Sequence, residues 1–370
     1  MRVGCPKEIK TLEFRVGLTP DSVLELTRAG HEVLIETNAG AAIDFLDEQY
    51  EIAGAKIVST PEEIFAEADM IVKVKEPQLH ECAMLCEGQT LFTYLHLAAD
   101  KPQAEALAES GCWAVAYETV TSDVGTLPLL QPMSEVAGRM SIQVGAACLQ
   151  MAAGGRGVLL GGVPGVEAGK VVIIGGGTSG YNAAQMAVGM HADVSVFDRS
   201  ITKLEELDTI FGNRIQTVYS TAGALAEAIT TADLVVGAVL VPGAAAPKLI
   251  TREMLGTMKK GAVLVDISID QGGCFETSKP TTHQDPYFEV DGIVHYCVAN
   301  MPGAVARTST LALNNRTLPH AVNLANRGVQ DALRRDRHLK RGLNVAKGWI
   351  THEAVAEDLA MKFKEADDLL

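Results

Sequence analysis

Residues 170–180 read Lys-Val-Val-Ile-Ile-Gly-Gly-Gly-Thr-Ser-Gly: four β-favouring apolar residues run into Gly175-x-Gly177-x-x-Gly180 and then an apolar helix pattern near Tyr181. That succession predicts a strand, a tight turn and a helix opening on the last glycine. In such a unit Gly175 makes the sharp turn, Gly177 lets a pyrophosphate approach the backbone, and Gly180 lets the helix pack closely on the strand. The first helical turn then offers its unpaired N–H groups to the anion. Asp198 ends the next predicted strand, where its carboxylate can accept hydrogen bonds from ribose hydroxyls and repel a 2'-phosphate. The motif predicts a dinucleotide site that prefers NAD to NADP, with Arg199 as the neighbour able to accommodate the extra phosphate.

A chain of 370 residues exceeds one ordinary core and fits two domains. Before the glycine motif, strand patterns fall at Arg2 to Cys5, Glu32 to Glu36, Met70 to Val74, Thr90 to Leu95 and Trp113 to Glu118. Helix signals separate them: Thr19-Pro20 and Thr60-Pro61 each set an N-cap Thr before a first-turn Pro, and Gly30 and Gly111 stand where C-caps belong. A long helical pattern from about Ser134 to Ala153 leads to a second series, with strands at Val171 to Ile174, Val194 to Phe197, Ile215 to Tyr219, Leu234 to Val239, Ala262 to Ile267 and Val294 to Val298. After Asn300-Met-Pro302 only helical patterns are expected, at 317–333 and 353–368. The expected fold is α/β, two Rossmann-like doubly wound parallel-sheet domains with a cleft between them. Residues 1–128 with 305–370 form a discontinuous substrate domain in this reading, and 129–304 the dinucleotide domain.

Charge and thiols narrow the function. A net charge of -15 repels phosphate backbones, so nucleic acid is not an expected partner. The basic run Arg334 to Arg341 reads as a solvated helix face or subunit contact. The N-terminus lacks the basic and apolar regions of a signal peptide, and the apolar stretch Leu234 to Pro247 is too short and too broken to span a membrane. Seven cysteines without a Cys-x-x-Cys pair suit reduced thiols in a cytoplasm, and no structural metal is expected.

Oxidising a carbon that bears nitrogen or oxygen needs a proton shuttle beside the hydride acceptor, and histidine titrates in the right range. His96, in Tyr94-Leu-His-Leu, follows a first-domain strand. Asp270 follows the strand Val263-Leu-Val-Asp-Ile267, at the carboxyl edge where open α/β sheets bind ligands. A substrate carboxylate calls for a cation, and Arg15 and Lys75 fall in first-domain segments able to supply one.

Over essentially its whole length the chain resembles the bacterial alanine dehydrogenases. The resemblance is carried by Pro6-Lys-Glu-Ile, Arg15-Val-Gly-Leu-Thr-Pro20, Val72-Lys-Val-Lys-Glu-Pro77, Tyr94-Leu-His-Leu-Ala98, Pro128-Leu-Leu-Gln-Pro-Met-Ser-Glu-Val-Ala-Gly-Arg139, Gly161-Gly-Val-Pro-Gly-Val166, Asp266-Ile-Ser-Ile-Asp-Gln-Gly-Gly273 and Asn300-Met-Pro-Gly-Ala304. It implies reversible NAD-dependent deamination of L-alanine to pyruvate and ammonium. His96 is then the acid/base with Asp270 as its partner near the nicotinamide, Arg15 grips the substrate carboxylate, and Lys75 binds the carboxylate or carbonyl oxygen. Ser134, Thr178, Ser179, Asp198, Lys203, Ser220, Val239, Leu240, Ile267, Asp270, Val298, Asn300 and Met301 would join the glycines around NAD. A cytoplasmic homohexamer is also implied. Thr178-Ser179, His191 and Lys279 depart from the family pattern. The rival readings are the NAD-binding component of a proton-translocating transhydrogenase and an NAD-sensing module without turnover.

Overall fold

The computed structural model describes residues 1–239 and 246–370 of the chain. In chain order the strands are β1 (Arg2–Cys5), β2 (Glu32–Glu36), β3 (Lys56–Val58), β4 (Met70–Val72), β5 (Thr90–Thr93), β6 (Trp113–Ala116), β7 (Lys170–Ile174), β8 (Asp193–Asp198), β9 (Gln216–Tyr219), β10 (Leu234–Gly237), β11 (Val263–Asp266), β12 (Tyr287–Val290), β13 (Ile293–Tyr296), β14 (Leu343–Ala346) and β15 (Trp349–Ile350). Residues Met1–Met133 and Val305–Leu370 make one compact unit, and Ser134–Ala304 another.

The first unit holds an eight-stranded sheet in the order β15-β14-β6-β5-β4-β1-β2-β3. β1 to β6 are parallel, whereas β14 runs antiparallel to β6 and β15 antiparallel to β14. The side-chain period of two puts alternate residues on opposite faces. Val3, Val33, Ile35, Val72 and Phe92 face one apolar layer; Leu34, Ile71, Leu91 and Ala114 face another. Helices Pro20–Arg28 and Ala306–Arg327 cover the first layer through Val23, Leu26, Leu313 and Leu324. Helices Pro61–Glu67, Lys101–Ser110 and Glu353–Leu359 cover the second through Ile64, Leu107 and Val355. Both predicted N-caps form: Thr19 accepts from Ser22 N at 3.1 Å, and Thr60 from Glu63 N at 3.4 Å. Gly111 caps its helix in the left-handed conformation.

The second unit holds a seven-stranded sheet, β12-β13-β11-β10-β7-β8-β9, parallel except for β12. Chain direction across the sheet reverses at β7: β8 and β9 lie on one side, β10, β11 and β13 on the other. A doubly wound sheet opens a ligand crevice at such a switch point, at the carboxyl ends of the strands.

The strands differ from expectation in three places. β3 is a three-residue edge strand. The second sheet has a seventh strand, β12, joined to β13 by Asp291-Gly292, both at positive φ (53° and 83°) as a type I′ hairpin turn requires. Strands also return after residue 302: β14 and β15 are joined by Lys347-Gly348 at φ 50° and 85°, the same turn. The helix predicted from Ser134 to Ala153 is Gln131–Cys148, followed by a 3₁₀ turn at Met151–Ala153. The patterns at 317–333 and 353–368 resolve into Ala306–Arg327, Val329–Arg335 and Glu353–Leu359, with a 3₁₀ turn at Ala366–Asp368.

Candidate active site

In the second unit, β7 ends in Gly175 at φ 101°, where an added Cβ would lie 2.6 Å from the carbonyl oxygen of Ala238. Gly177 is the N-cap of the helix Thr178–Gly189, and an added Cβ there meets nothing within 4 Å. A Cβ at Gly180 would collide with the carbonyl oxygen of Gly175. The turn thus folds back on its own helix, while Gly177 leaves open the path a pyrophosphate needs. Asp198, at the end of β8, accepts from Gly176 N at 2.6 Å through one oxygen and from Ser200 N at 2.7 Å through the other. Its carboxylate is therefore fixed beside the glycine turn, as a ribose acceptor must be. These features fit NAD.

The other predicted cofactor residues follow the same sheet edge. Ser220 comes just after β9, its N–H donating to Asp198 O at 2.9 Å. Val239 follows β10, and its carbonyl accepts from Ser268 Oγ at 2.6 Å. Ile267 and Asp270 lie in the 3₁₀ turn after β11, with Asp270 exposed. Val298, Asn300 and Met301 follow β13; Asn300 has φ 62°, and His283 Nε2 lies 3.1 Å from its carbonyl oxygen. Thr178 opens the helix exposed, and Ser179 Oγ donates to Ser134 O at 3.1 Å. Lys203 lies on the next helix, its ammonium paired with Glu206. Leu240 lies outside the described residues. Lys279, one of the departures from the family pattern, lies 4.4 Å over the ring of Phe288. Beneath the Asp270 turn, buried Asp266 accepts from Ser278 Oγ at 2.5 Å and Cys274 N at 2.9 Å, and Lys248 Nζ donates to the carbonyls of Gly272 and Gly273. Burial raises the Asp266 carboxyl against those hydrogen bonds.

In the first unit, Arg15, Lys75 and His96 follow β1, β4 and β5, three adjacent parallel strands. The segments interlock: Thr93 Oγ1 donates to Lys75 O at 3.0 Å, Tyr94 N to Val74 O at 3.2 Å, and the Tyr94 ring stacks on His96 at 5.8 Å. Tyr94 Oη donates to Leu129 O at 2.7 Å, which fixes the ring. Arg15 is 3% exposed and grips Glu13 bidentately, Nε at 2.7 Å and a terminal nitrogen at 2.5 Å. Lys75 Nζ lies 3.8 Å from Glu76, which also pairs with Lys10. Burial pushes the Glu76 carboxyl up, but Lys75 and Lys10 outweigh it and hold it below the usual carboxylate range. Glu8, also buried, accepts from Val74 N at 2.7 Å and Lys75 N at 3.3 Å, so it tethers the backbone that presents Lys75. Its other oxygen lies 3.4 Å from fully buried Lys73, which also meets Glu81 at 2.8 Å. With two carboxylates facing one ammonium, burial raises Glu8.

Sequence reasoning picked the cations and missed their carboxylates Glu13 and Glu76, and it missed Glu8, which holds the Lys75 backbone. The acidic residue two before Arg15 and the one beside Lys75 were the available signal, since a buried cation needs a counter-ion. His96 is exposed and stands in the left-handed conformation, φ 52°. Among the described residues, no group of His, Cys, Asp and Glu could hold a metal ion, and no helix is long and apolar enough to cross a membrane.

A family model described as the N-terminal domain of alanine dehydrogenase/PNT matches residues 4–137, and one for its C-terminal domain matches 141–353. The chain is 56% identical over 370 residues to an alanine dehydrogenase of Halomonas elongata, covering 100% of both proteins. A solved L-alanine dehydrogenase structure superposes with a TM-score of 0.95 at 51% identity, covering 97% of this chain and 99% of that one. A transhydrogenase from Sinorhizobium meliloti is more distant, with a TM-score of 0.82 at 25% identity over 96% of this chain and 100% of that one. On the strength of both halves, the chain belongs to the alanine dehydrogenase/PNT family.

Proposed function

We propose that this chain catalyses the reversible NAD-dependent oxidative deamination of L-alanine to pyruvate and ammonium, its first unit taking the substrate and its second the cofactor. The observation that carries this reading is the sequence of basic groups Arg15, Lys75 and His96 after three neighbouring strands, in a chain that also has a complete dinucleotide turn. When bound, NAD supplies the acceptor for the hydride that leaves the alanine Cα. Arg15 holds the substrate carboxylate, and Lys75 binds the carboxylate or the carbonyl oxygen. His96 takes a proton from the water that adds to the iminium carbon, returns it to the amine, and accepts the hydroxyl proton as the carbon–nitrogen bond breaks and the carbonyl forms. Asp270 is the acidic partner that the family resemblance assigns to this proton transfer. Because Glu13 and Glu76 already pair with these cations, a substrate that carries an ammonium beside its carboxylate suits them better than a bare anion.

The test is NADH formation with NAD and a panel of small L-amino and 2-hydroxy acids at mildly alkaline pH. Turnover confined to L-alanine is the expected result, and His96→Ala should lose it while still binding NAD. Silence across the panel with NAD still bound would overturn the reading in favour of a transhydrogenase component or a sensor. The family resemblance further supports a cytoplasmic homohexamer, which sedimentation equilibrium would test.

A further inference from the structure

The 3₁₀ turn Tyr117–Thr119, directly after β6, reaches every segment of the first-unit site except that of Arg15. Tyr117 Oη donates to Lys73 O at 3.0 Å, and its ring meets Tyr94 edge-on at 5.0 Å. Thr119 Oγ1 accepts from Asn344 Nδ2 at 2.6 Å, and Asn344 also donates to Gly342 O at 2.9 Å, which ties the turn to β14. Between them, one oxygen of Glu118 accepts from Leu95 N at 3.0 Å and from His96 N at 2.6 Å; the other lies 3.3 Å from Leu95 N. Two successive N–H groups that converge on one anion form a backbone nest, and here the chain fills its own nest with a carboxylate. The bonds are charge-assisted and the stronger for it. They are made at the residue whose φ of 52° L side chains rarely adopt, so the strained conformation persists because Glu118 holds it.

We propose that Glu118 is a positioning residue for the reaction, fixing the left-handed backbone of His96 and thereby the direction of its imidazole. The proposal rests on the reading of His96 as the proton-transfer group. Glu118 reaches the substrate only through His96, so its loss should appear in kcat and leave NAD affinity unchanged.

Three variants separate reach from charge. Glu118→Gln keeps an oxygen acceptor at full reach and should stay within about fivefold of wild-type kcat. Glu118→Asp keeps the charge but retracts the acceptor by one methylene, and Glu118→Ala removes it; both should lose roughly a hundredfold in kcat. NAD dissociation constants should not change, and hydrogen exchange at the Leu95 and His96 amides should accelerate in Glu118→Asp. In a His96→Ala background, Glu118→Asp should change residual turnover by less than about twofold. Wild-type kcat in Glu118→Asp, unchanged amide protection, or a full loss on top of His96→Ala would each overturn the proposal. Wild-type turnover in His96→Ala alone would instead remove the role of His96 and leave the exchange result to report on the nest.

Discussion

At the scale of single residues, the site is a set of paired charges whose order is set by burial. Arg15 and Glu13 are 3% and 1% exposed at the side chain, so neither can lose its partner cheaply. Arg15→Ala should therefore cost about 3–5 kcal/mol of stability, because it removes the guanidinium that grips a buried carboxylate. Arg15→Lys keeps the charge but replaces a planar fork with a point donor. Its KM for alanine should rise about tenfold or more, with a smaller fall in the urea midpoint than Arg15→Ala shows. Equal KM values for Arg15→Lys and wild type would remove Arg15 from substrate binding. The cations were legible in the sequence because a carboxylate substrate demands them. Their counter-ions Glu13 and Glu76 left a local signal that was passed over, whereas Glu8 and Glu118 left none, since Glu8 meets Val74 and Glu118 meets His96 only after distant strands pair.

At the scale of elements, the glycine turn makes a prediction that separates packing from binding. Gly177→Ala adds a methyl into open space at φ −67°, so the fold should keep its melting temperature while NAD affinity falls about tenfold or more. Gly180→Ala drives a methyl into the Gly175 carbonyl, so its melting temperature should fall as well. Calorimetry beside a fluorescence titration of NADH reads both; matching behaviour of the two variants would contradict the assignment of roles. The strands of this unit were legible because buried parallel strands are continuous β-branched runs, as Val171 to Ile174 and Val263 to Val265 are. The antiparallel edges were passed over, although Asp291-Gly292 between Val290 and Ile293 is a strong hairpin signal. Lys347-Gly348 is a weaker one, since Lys seldom takes positive φ. β3 carries only three residues and begins with Lys56, too short for alternation to register.

At the scale of the whole molecule, acid stability follows from histidines that fold uncharged. His295 is fully buried at the β12–β13 hairpin, Nδ1 3.0 Å from Ile293 O and Nε2 2.7 Å from Thr277 Oγ1, and burial lowers its pKa below the ordinary 6.5. The unfolded chain then takes up the proton first, so the stability this residue contributes is complete above 6.5 and drains away as pH falls toward the folded value. Burial lowers His320 and His352 in the same way. In His295→Gln the urea midpoint should decline less steeply than in wild type between about pH 7 and about pH 5.5; parallel declines would exclude His295 as a source. The division of the chain has another consequence, which concerns its synthesis. Residues 134–304 form one uninterrupted stretch and can complete their sheet while the ribosome is still at work. The first unit cannot, because β6 has to wait for β14, some two hundred residues later in translation. The half of the protein that is made first is therefore the half that finishes last, and until Leu343–Ala346 emerge, the edge of Trp113–Ala116 is a bare strand that a chaperone or another nascent copy could bind.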